Sequence, residues 1–292
     1  MMTTHEVADY LRVKERKIYD LIRQEQIPCA RVSGKWLFPK ALIDRWVLQN
    51  LQGAAVETAP VPSVIAGSHD PLLEWAVRES GSALAFLAGG SLDGLEQVAN
   101  GAAALCGTHM RDPDTGDYNI PWVERVLSGS DVVVIAWARR QQGLVVAQGN
   151  PLGIRQVADL AKGLRVVPRQ EGAGSRLLLE QLLGREGIDA AQISYCETVA
   201  RTEADLGAMI VDGKADAGLA IGAVASMFRL DFLPLHEERF DLIVRRRAFF
   251  DEPFQKLLAF TRDPAFEIRA EEFGGYDVSA TGSVVWNGAS GP

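Results

Sequence analysis

The chain has 292 residues, 47% of them hydrophobic and 23% charged, with a net charge of −8 at neutral pH and three cysteines. That length suits about two domains, and the apolar fraction excludes a disordered chain. With no run of about 18 apolar residues and no basic-then-apolar leader, a cytoplasmic protein with no membrane partner is expected. Cys29, Cys106 and Cys196 are too few and too scattered for a disulfide framework. Cys106-Gly-Thr-His109 lacks further ligand-type neighbours, so neither a zinc site nor any other metal or cofactor is expected.

Charge is unevenly spread. Residues 1–50 hold nine Lys/Arg against six Asp/Glu, which leaves −11 on the remainder. A basic head on an acidic body suits a nucleic-acid-binding module on a soluble sensor. Thr3 with Glu6 spells a capping box, and Val7, Ala8 and Leu11 continue an apolar stripe, so a short first helix is predicted. A second starts near Lys14-Glu15, buries Ile18, Leu21 and Ile22, and stops before Ile27-Pro28, because proline disfavours helix at the preceding residue. Two short helices joined tightly suggest helix-turn-helix. Ala30–Val32, a Ser33-Gly34 turn and Lys35–Phe38 form a hairpin. Pro39 then opens a third helix, Lys40 to about Gln52, with Leu42, Ile43, Trp46 and Val47 inward.

In order and spacing, residues 3–48 resemble the winged helix-turn-helix of the excisionase/MerR-like DNA-binding family. The resemblance implies a DNA-binding domain over 1–52 whose second helix is the recognition helix. Lys14, Arg16, Lys17 and Tyr19 lie near the exposed start of that helix, and Ser33 and Lys35 lie in the wing. Lysine stands at 14 and 17, where that family often carries small hydroxyl residues. Basic side chains at a helix start can reach phosphates and guanine edges in a major groove. A solvated face on a protein-interaction helix would carry the same residues.

Residues 53–62, with Pro60 and Pro62 and no apolar period, are expected to be a semi-stiff linker ahead of a body over 63–292. The body opens with strand, loop and helix in repetition: Ser63–Asp70, Ala83–Ser91 and Ala102–His109. Carboxyl ends of parallel strands share one edge, so the turns Gly67-Ser68-His69, Gly89-Gly90-Ser91 and Gly107-Thr108-His109 should line one crevice. Glycine lets backbone approach a ligand, and free N–H groups at helix starts favour an anion. Taken singly, each turn is equally an ordinary strand-to-helix connection with a capping serine.

Further on, 110–121 is turn chemistry, Trp122–Leu127 a short helix, and Asp131–Trp137 and Gly143–Ala147 two buried-type strands. The loop Pro168–Arg176 sets glycines and Ser175 immediately before a helix, a second anion cradle without the Gly-Lys-Ser/Thr ending of a nucleotide loop. Arg169 and Arg176 there either add charge-assisted bonds or brace the surface. Ser68-His69-Asp70 is no catalytic triad, since adjacent residues diverge, and no Gly-x-Ser-x-Gly elbow is present. No enzyme is expected. The turn-rich tail 274–283 has no assigned role beyond packing near the chain's end.

Residues 62–285 resemble the periplasmic-binding-protein-like (type 2) fold, through Ser68-His69-Asp70, the stretch 89–119, RQEGAGSR at 169–176 and DGKADAGLAIGAV at 212–224. They look most like the branch fused to DNA-binding heads and related to molybdate-binding proteins. The resemblance implies an α/β body of two lobes with doubly wound sheets, the second lobe at about 148–232, closing on an oxyanion. It makes Ser68, Ser91 and Ser175 hydroxyl donors and lets backbone approach at Gly90, Gly174 and Gly222. Thr108 and Arg169 are further ligand-binding candidates in the same loops, and the departures His69, His109 and Arg176 beside the cleft extend the ligand class to a small carboxylate or a larger metabolite. The expectation is a one-component transcriptional regulator that binds operator DNA and a small anion such as molybdate or tungstate. A homodimer or higher homo-oligomer is expected, because winged modules read palindromes as dimers. A solute sensor or scaffold without DNA binding stays open as the alternative, and behind it an enzyme on the binding-protein fold.

Overall fold

The structure, a computed structural model, describes residues 1–24, 26–49, 61–128 and 130–288. Residues 53–60 of the expected 53–62 linker and the expected end of the third helix at 50–52 lie outside these residues. The chain divides into two units, Met1–Pro60 and Val61–Pro292.

The first unit runs β1 (Met2–Thr3), α1 (Thr4–Tyr10), α2 (Glu15–Arg23), β2 (Ala30–Val32), β3 (Lys35–Phe38) and α3 (Lys40–Gln49). The capping box forms: Glu6 N–H donates to Thr3 Oγ1 at 3.3 Å, and Thr3 N–H donates to Glu6 Oε2 at 2.7 Å. Ser33 and Gly34, at φ 50° and 78°, make the tight turn between β2 and β3, with both central residues in the left-handed region that such hairpins need. Val7, Ala8, Ile18, Leu21, Ile27, Phe38 and Ile43 form the core. Two details depart from the sequence expectation. Met2–Thr3 adds a strand beside β3, opposite Leu37 and Phe38, and two residues are too few to show a period. Leu42 is exposed while Ile43 is buried, because neighbours on a helix point about 100° apart and only one can face the core.

The second unit begins with β4 (Val64–Gly67), α4 (Pro71–Glu79), β5 (Ala85–Ala88), α5 (Ser91–Ala99), β6 (Leu105–Thr108), α6 (Ile120–Val126) and β7 (Val132–Val146). It continues through β8 (Arg165–Val166), α7 (Gly174–Arg185), β9 (Ser194–Tyr195), α8 (Glu203–Val211), β10 (Ala217–Ile221), α9 (Gly222–Phe228) and β11 (Asp231–Arg245). It ends with α10 (Arg246–Phe249), α11 (Glu252–Phe260), α12 (Pro264–Phe273), β12 (Tyr276–Asp277) and β13 (Val284–Trp286).

This is a two-lobed α/β body. Strand order is β5-β4-β6-β11-β7-β10-β8-β9. Parallel β5-β4-β6 forms the first lobe and parallel β10-β8-β9 the second. Between them run β7 and β11, antiparallel and 15 residues each, so the two lobes' sheets are continuous through one shared strand pair. Sequence reading divided β7 in two because the polar stretch Arg139-Arg140-Gln141-Gln142 interrupts its apolar run. Likewise β11 does not stop at Pro234: the register shifts between Pro234 and His236, and a bulge is where a strand tolerates proline. Separate apolar clusters lie under each lobe, around Leu95, Val98 and Ile243 in the first and Leu160, Leu179 and Leu219 in the second.

Candidate functional site

Three of the four glycine-and-serine loops meet at the carboxyl ends of the first-lobe strands and the fourth comes from the second lobe. Ser68 N–H donates to Gly107 O at 2.9 Å, and a Cβ on Gly67 (φ 97°) would stand 2.4 Å from that same oxygen, so the first strand end demands glycine. Ser68 Oγ and Ser91 Oγ share a hydrogen bond of 2.7 Å, and His109 N–H donates to Ser91 Oγ at 3.3 Å. All three residues are buried. Ser91 is the first residue of α5, after Gly90 at φ 98°.

The second lobe meets this group directly. Leu92 N–H donates to Gly172 O at 3.4 Å. A Cβ on Gly90 would lie 3.4 Å from Gln170 Nε2, and one on Gly174 would lie 2.9 Å from both His109 Cε1 and His109 O. Gly174 thus lets the start of α7 close against His109 and carries Ser175 with it. Ser175 Oγ is buried and has no hydrogen-bond partner among the described residues.

The other expected residues divide by what they touch. His69 bonds Glu74 at 2.9 Å through Nε2, and its buried Nδ1 has no partner among the described residues. Thr108 Oγ1 donates to Asn119 Oδ1 at 3.3 Å, which fixes the loop after β6. Arg169 donates to Glu203 at 2.8 Å with both side chains buried, so it braces the second lobe. Arg176 pairs with Glu180 at 3.0 Å on an exposed stretch of α7. Gly222 opens α9 beside Phe232 and Gly275. Arg176 and Gly222 therefore make their contacts apart from the serine group.

Sequence reading missed what lies beneath the serines. Arg140 of β7 and Glu238 of β11 are paired and nearly fully buried. Arg140 also donates to Asp70 Oδ2 at 2.8 Å and lies over the Phe240 ring, 4.2 Å from its centroid. Asp70 caps α4 through Leu73 N–H at 2.7 Å, and accepts from Trp137 Nε1 at 3.0 Å and Tyr276 Oη at 2.6 Å. Glu238 is 2.6 Å from His109 Nδ1 and accepts from Gln142 Nε2 at 3.0 Å. Burial alone would raise the Glu238 carboxyl, but Arg140 and His109 outweigh it and hold it down at about 2. Burial, and then the Asp70 charge, push the Tyr276 phenol well above its usual value. Tyr276 belongs to the turn-rich tail, whose β12 pairs with Arg139 and Arg140, and β13, which follows the tail, pairs with Val134 and Ile135. The available signal was the charged, polar interruption at 139–142 inside an apolar strand.

In the first unit Lys14, Arg16, Lys17, Tyr19, Ser33 and Lys35 are all exposed. Among the described residues none of these four basic side chains is in an ion pair. Arg31 lies over the Trp36 ring at 5.5 Å and lends the hairpin a further charge.

No described helix is long and apolar enough to cross a membrane. The chain is similar to the uncharacterized protein YvgK of Bacillus subtilis (strain 168), at 26% identity with 97% of each chain covered. An ABC-transporter substrate-binding protein from Clostridium perfringens, with bound phosphate, superposes with a TM-score of 0.54 at 12% identity, over 72% of this chain and 97% of that one. A mutant of OxyR from Corynebacterium glutamicum, with bound hydrogen peroxide, gives a TM-score of 0.50 at 14% identity, over 93% and 90%. Residues 1–51 match a helix-turn-helix domain. Residues 74–262 match the PBP superfamily domain, and the chain belongs to that superfamily, with a helix-turn-helix domain ahead of it.

Proposed function

We propose that this protein is a ligand-responsive transcriptional regulator of the cytoplasm, not an enzyme, whose winged head binds operator DNA and whose two-lobed body senses a small anion. The observation that carries the ligand half is the hydroxyl pair Ser68–Ser91, 2.7 Å apart at the start of α5, with the start of α7 closed against it from the other lobe. Hydroxyls and helix-start N–H groups hold an oxyanion without needing a free cation. The nearby arginines suit that division of labour, since Arg140 and Arg169 are already matched by Asp70, Glu238 and Glu203.

The ligand is an oxyanion of the molybdate or tungstate kind or a small carboxylate. Phosphate joins the test set because the Clostridium perfringens neighbour has it bound. Because the anion would bridge both lobes, it favours the closed body by its difference in affinity between the two forms, and closure is the event that reaches the head. The head works as a homodimer or higher homo-oligomer on a palindromic site. What supports the DNA half is an exposed basic helix start, without ion-pair partners for Lys14, Arg16 and Lys17 among the described residues, followed by a tight wing.

The ligand half is tested by thermal shift with phosphate, sulfate, molybdate, tungstate and small carboxylates. A true ligand at about 100 times its Kd stabilises by about 2.7 kcal/mol. Mobility shift on the protein's own upstream region, with and without that ligand, tests the other half. Ligand binding with no DNA binding at low salt makes the protein a sensor without a DNA role.

A further inference from the structure

The first lobe ends in an unguarded sheet edge. Among the described residues β5 pairs with β4 on one side and is the outermost strand on the other. Ala85 N–H donates to Ser63 O and Gly89 N–H to Gly67 O, both towards β4. Backbone groups alternate along a strand, so the N–H and C=O of Phe86 and Ala88 point outward. Natural edges are blunted by charge, proline or a bulge. Residues 80–92 contain neither a charged side chain nor a proline, and Leu87, in the middle of β5, is 48% exposed. An edge this bare is a template for another strand.

The strand is complementary to itself. In an antiparallel pair, outward-pointing groups must meet outward-pointing groups, and a two-fold axis beside Leu87 achieves this by setting Phe86 against Ala88 of a second copy. Each of the two Phe86–Ala88 pairs then exchanges two backbone hydrogen bonds, and the two Leu87 side chains meet across the axis. The helix beside this edge has matching charge. Glu74 and Arg78 of α4 line the hollow next to Phe86, with 54% and 67% of their side chains exposed. The two-fold axis runs α4 antiparallel to its copy, so opposite charges four residues apart become complementary across it. We propose that β5 is the surface through which two copies of this chain associate, joining their first-lobe sheets into one. This deepens the homodimer reading above and rests on it.

Sedimentation of the full-length chain should give a dimer. Leu87→Lys puts like charges on the axis and weakens that dimer by about a hundredfold or more, while its far-ultraviolet dichroism stays that of the parent. Opposed residues that share no hydrogen bond lie about 4.5 Å apart between Cα atoms, within disulfide reach. Leu87→Cys, made with Cys29→Ser and Cys196→Ser, therefore cross-links to its own copy on mild oxidation. Tyr195→Cys in the same background, on the two-residue edge strand β9 at the far end of the sheet, does not. Arg78→Glu weakens the dimer, and adding Glu74→Arg to it restores association. A dimer that Leu87→Lys leaves intact, or no cross-link through Leu87→Cys, would overturn the proposal and leave the homodimer reading standing. A monomeric parent chain would overturn both.

Discussion

Arg140 and Glu238 stand directly opposite one another in the register of β7 and β11, the strand pair the two lobes share. Opposed residues of antiparallel strands project on one face, and here that face turns inward, with Arg140 and Glu238 1% and 2% exposed. A buried pair does little for stability in net terms, since desolvation offsets attraction, but it is demanding about geometry. Asp70 and His109 bring the first lobe to the pair, Gln142 lies two residues further along β7, and Tyr276 brings the tail. The network therefore ties the ends of the first-lobe loops, through Asp70 and His109, to the strand pair the two lobes share.

Glu238 gives this network a pH signature. Its folded value is depressed to about 2 from an ordinary 4.5, so the stabilisation it contributes is complete above pH 4.5 and is lost as pH falls from there towards 2. The loss is on the order of 3 kcal/mol. Urea denaturation at steps from pH 5.5 to 2.5 should show that decline, and Glu238→Gln should flatten it. An identical slope in the variant would remove Glu238 as its source. Glu238→Ala, which leaves Arg140 charged and buried, should cost about 3–5 kcal/mol at neutral pH.

Gly174 sets how closely the lobes meet. Alanine there places a methyl 2.9 Å from His109 O, a backbone atom that cannot swing aside, and such overpacking costs about 1–3 kcal/mol. The penalty falls on the closed form, so Gly174→Ala should lose about tenfold or more in anion affinity while the open body stays folded. Gly184, on the same helix, faces nothing within 4 Å. Gly184→Ala should therefore bind normally and gain about 0.5–1 kcal/mol in stability. Equal affinities for the two variants in calorimetry would show that closure at Gly174 is not linked to binding.

Much of this arrangement was legible in the sequence, and the parts that were not share a cause. The glycine-and-serine turns announce themselves because backbone approach needs glycine and helix starts favour serine, and Ser68, Ser91 and His109 do come together. Local pattern cannot show that a polar stretch is buried by distant partners: Arg139–Gln142 looks like a loop until Glu238, nearly a hundred positions later, supplies the opposing charge. Tyr276 was illegible for the same reason, since its turn-rich surroundings carry no period. Gly222 was placed by motif and Arg176 by its position at the end of a glycine-rich loop, and neither says which way a helix face turns.

Ser91 is the sharpest single test of the anion clamp. Its hydroxyl is shared with Ser68 and with the His109 N–H, so Ser91→Ala removes one charge-assisted bond to the ligand. That loss is worth about 1.5–3 kcal/mol, about tenfold to a hundredfold in affinity. The alanine is smaller and keeps the α5 start, so thermal stability without ligand should change by less than about 1.5 kcal/mol. Wild-type affinity in Ser91→Ala would move the ligand out of this group.

The head makes two separable predictions on DNA. Arg16 and Lys17 lie in the first turn of α2, exposed and without ion-pair partners among the described residues, where a recognition helix meets base edges and phosphates. Replacing both by alanine should abolish specific operator binding, and because neither touches the Val7–Ile18–Phe38 core, the fold and ligand response should be unaffected. Lys35 follows the Ser33-Gly34 turn and is also exposed. If it meets a phosphate, Lys35→Ala should weaken binding alike on all sequences and reduce the slope of log affinity against log salt by about 0.9. Mobility shifts over a salt series, on the operator and on a scrambled duplex, separate the two behaviours. An unchanged slope with altered base preference would make Lys35 a base reader, and normal shifts by the Arg16/Lys17 double variant would take α2 out of the groove altogether.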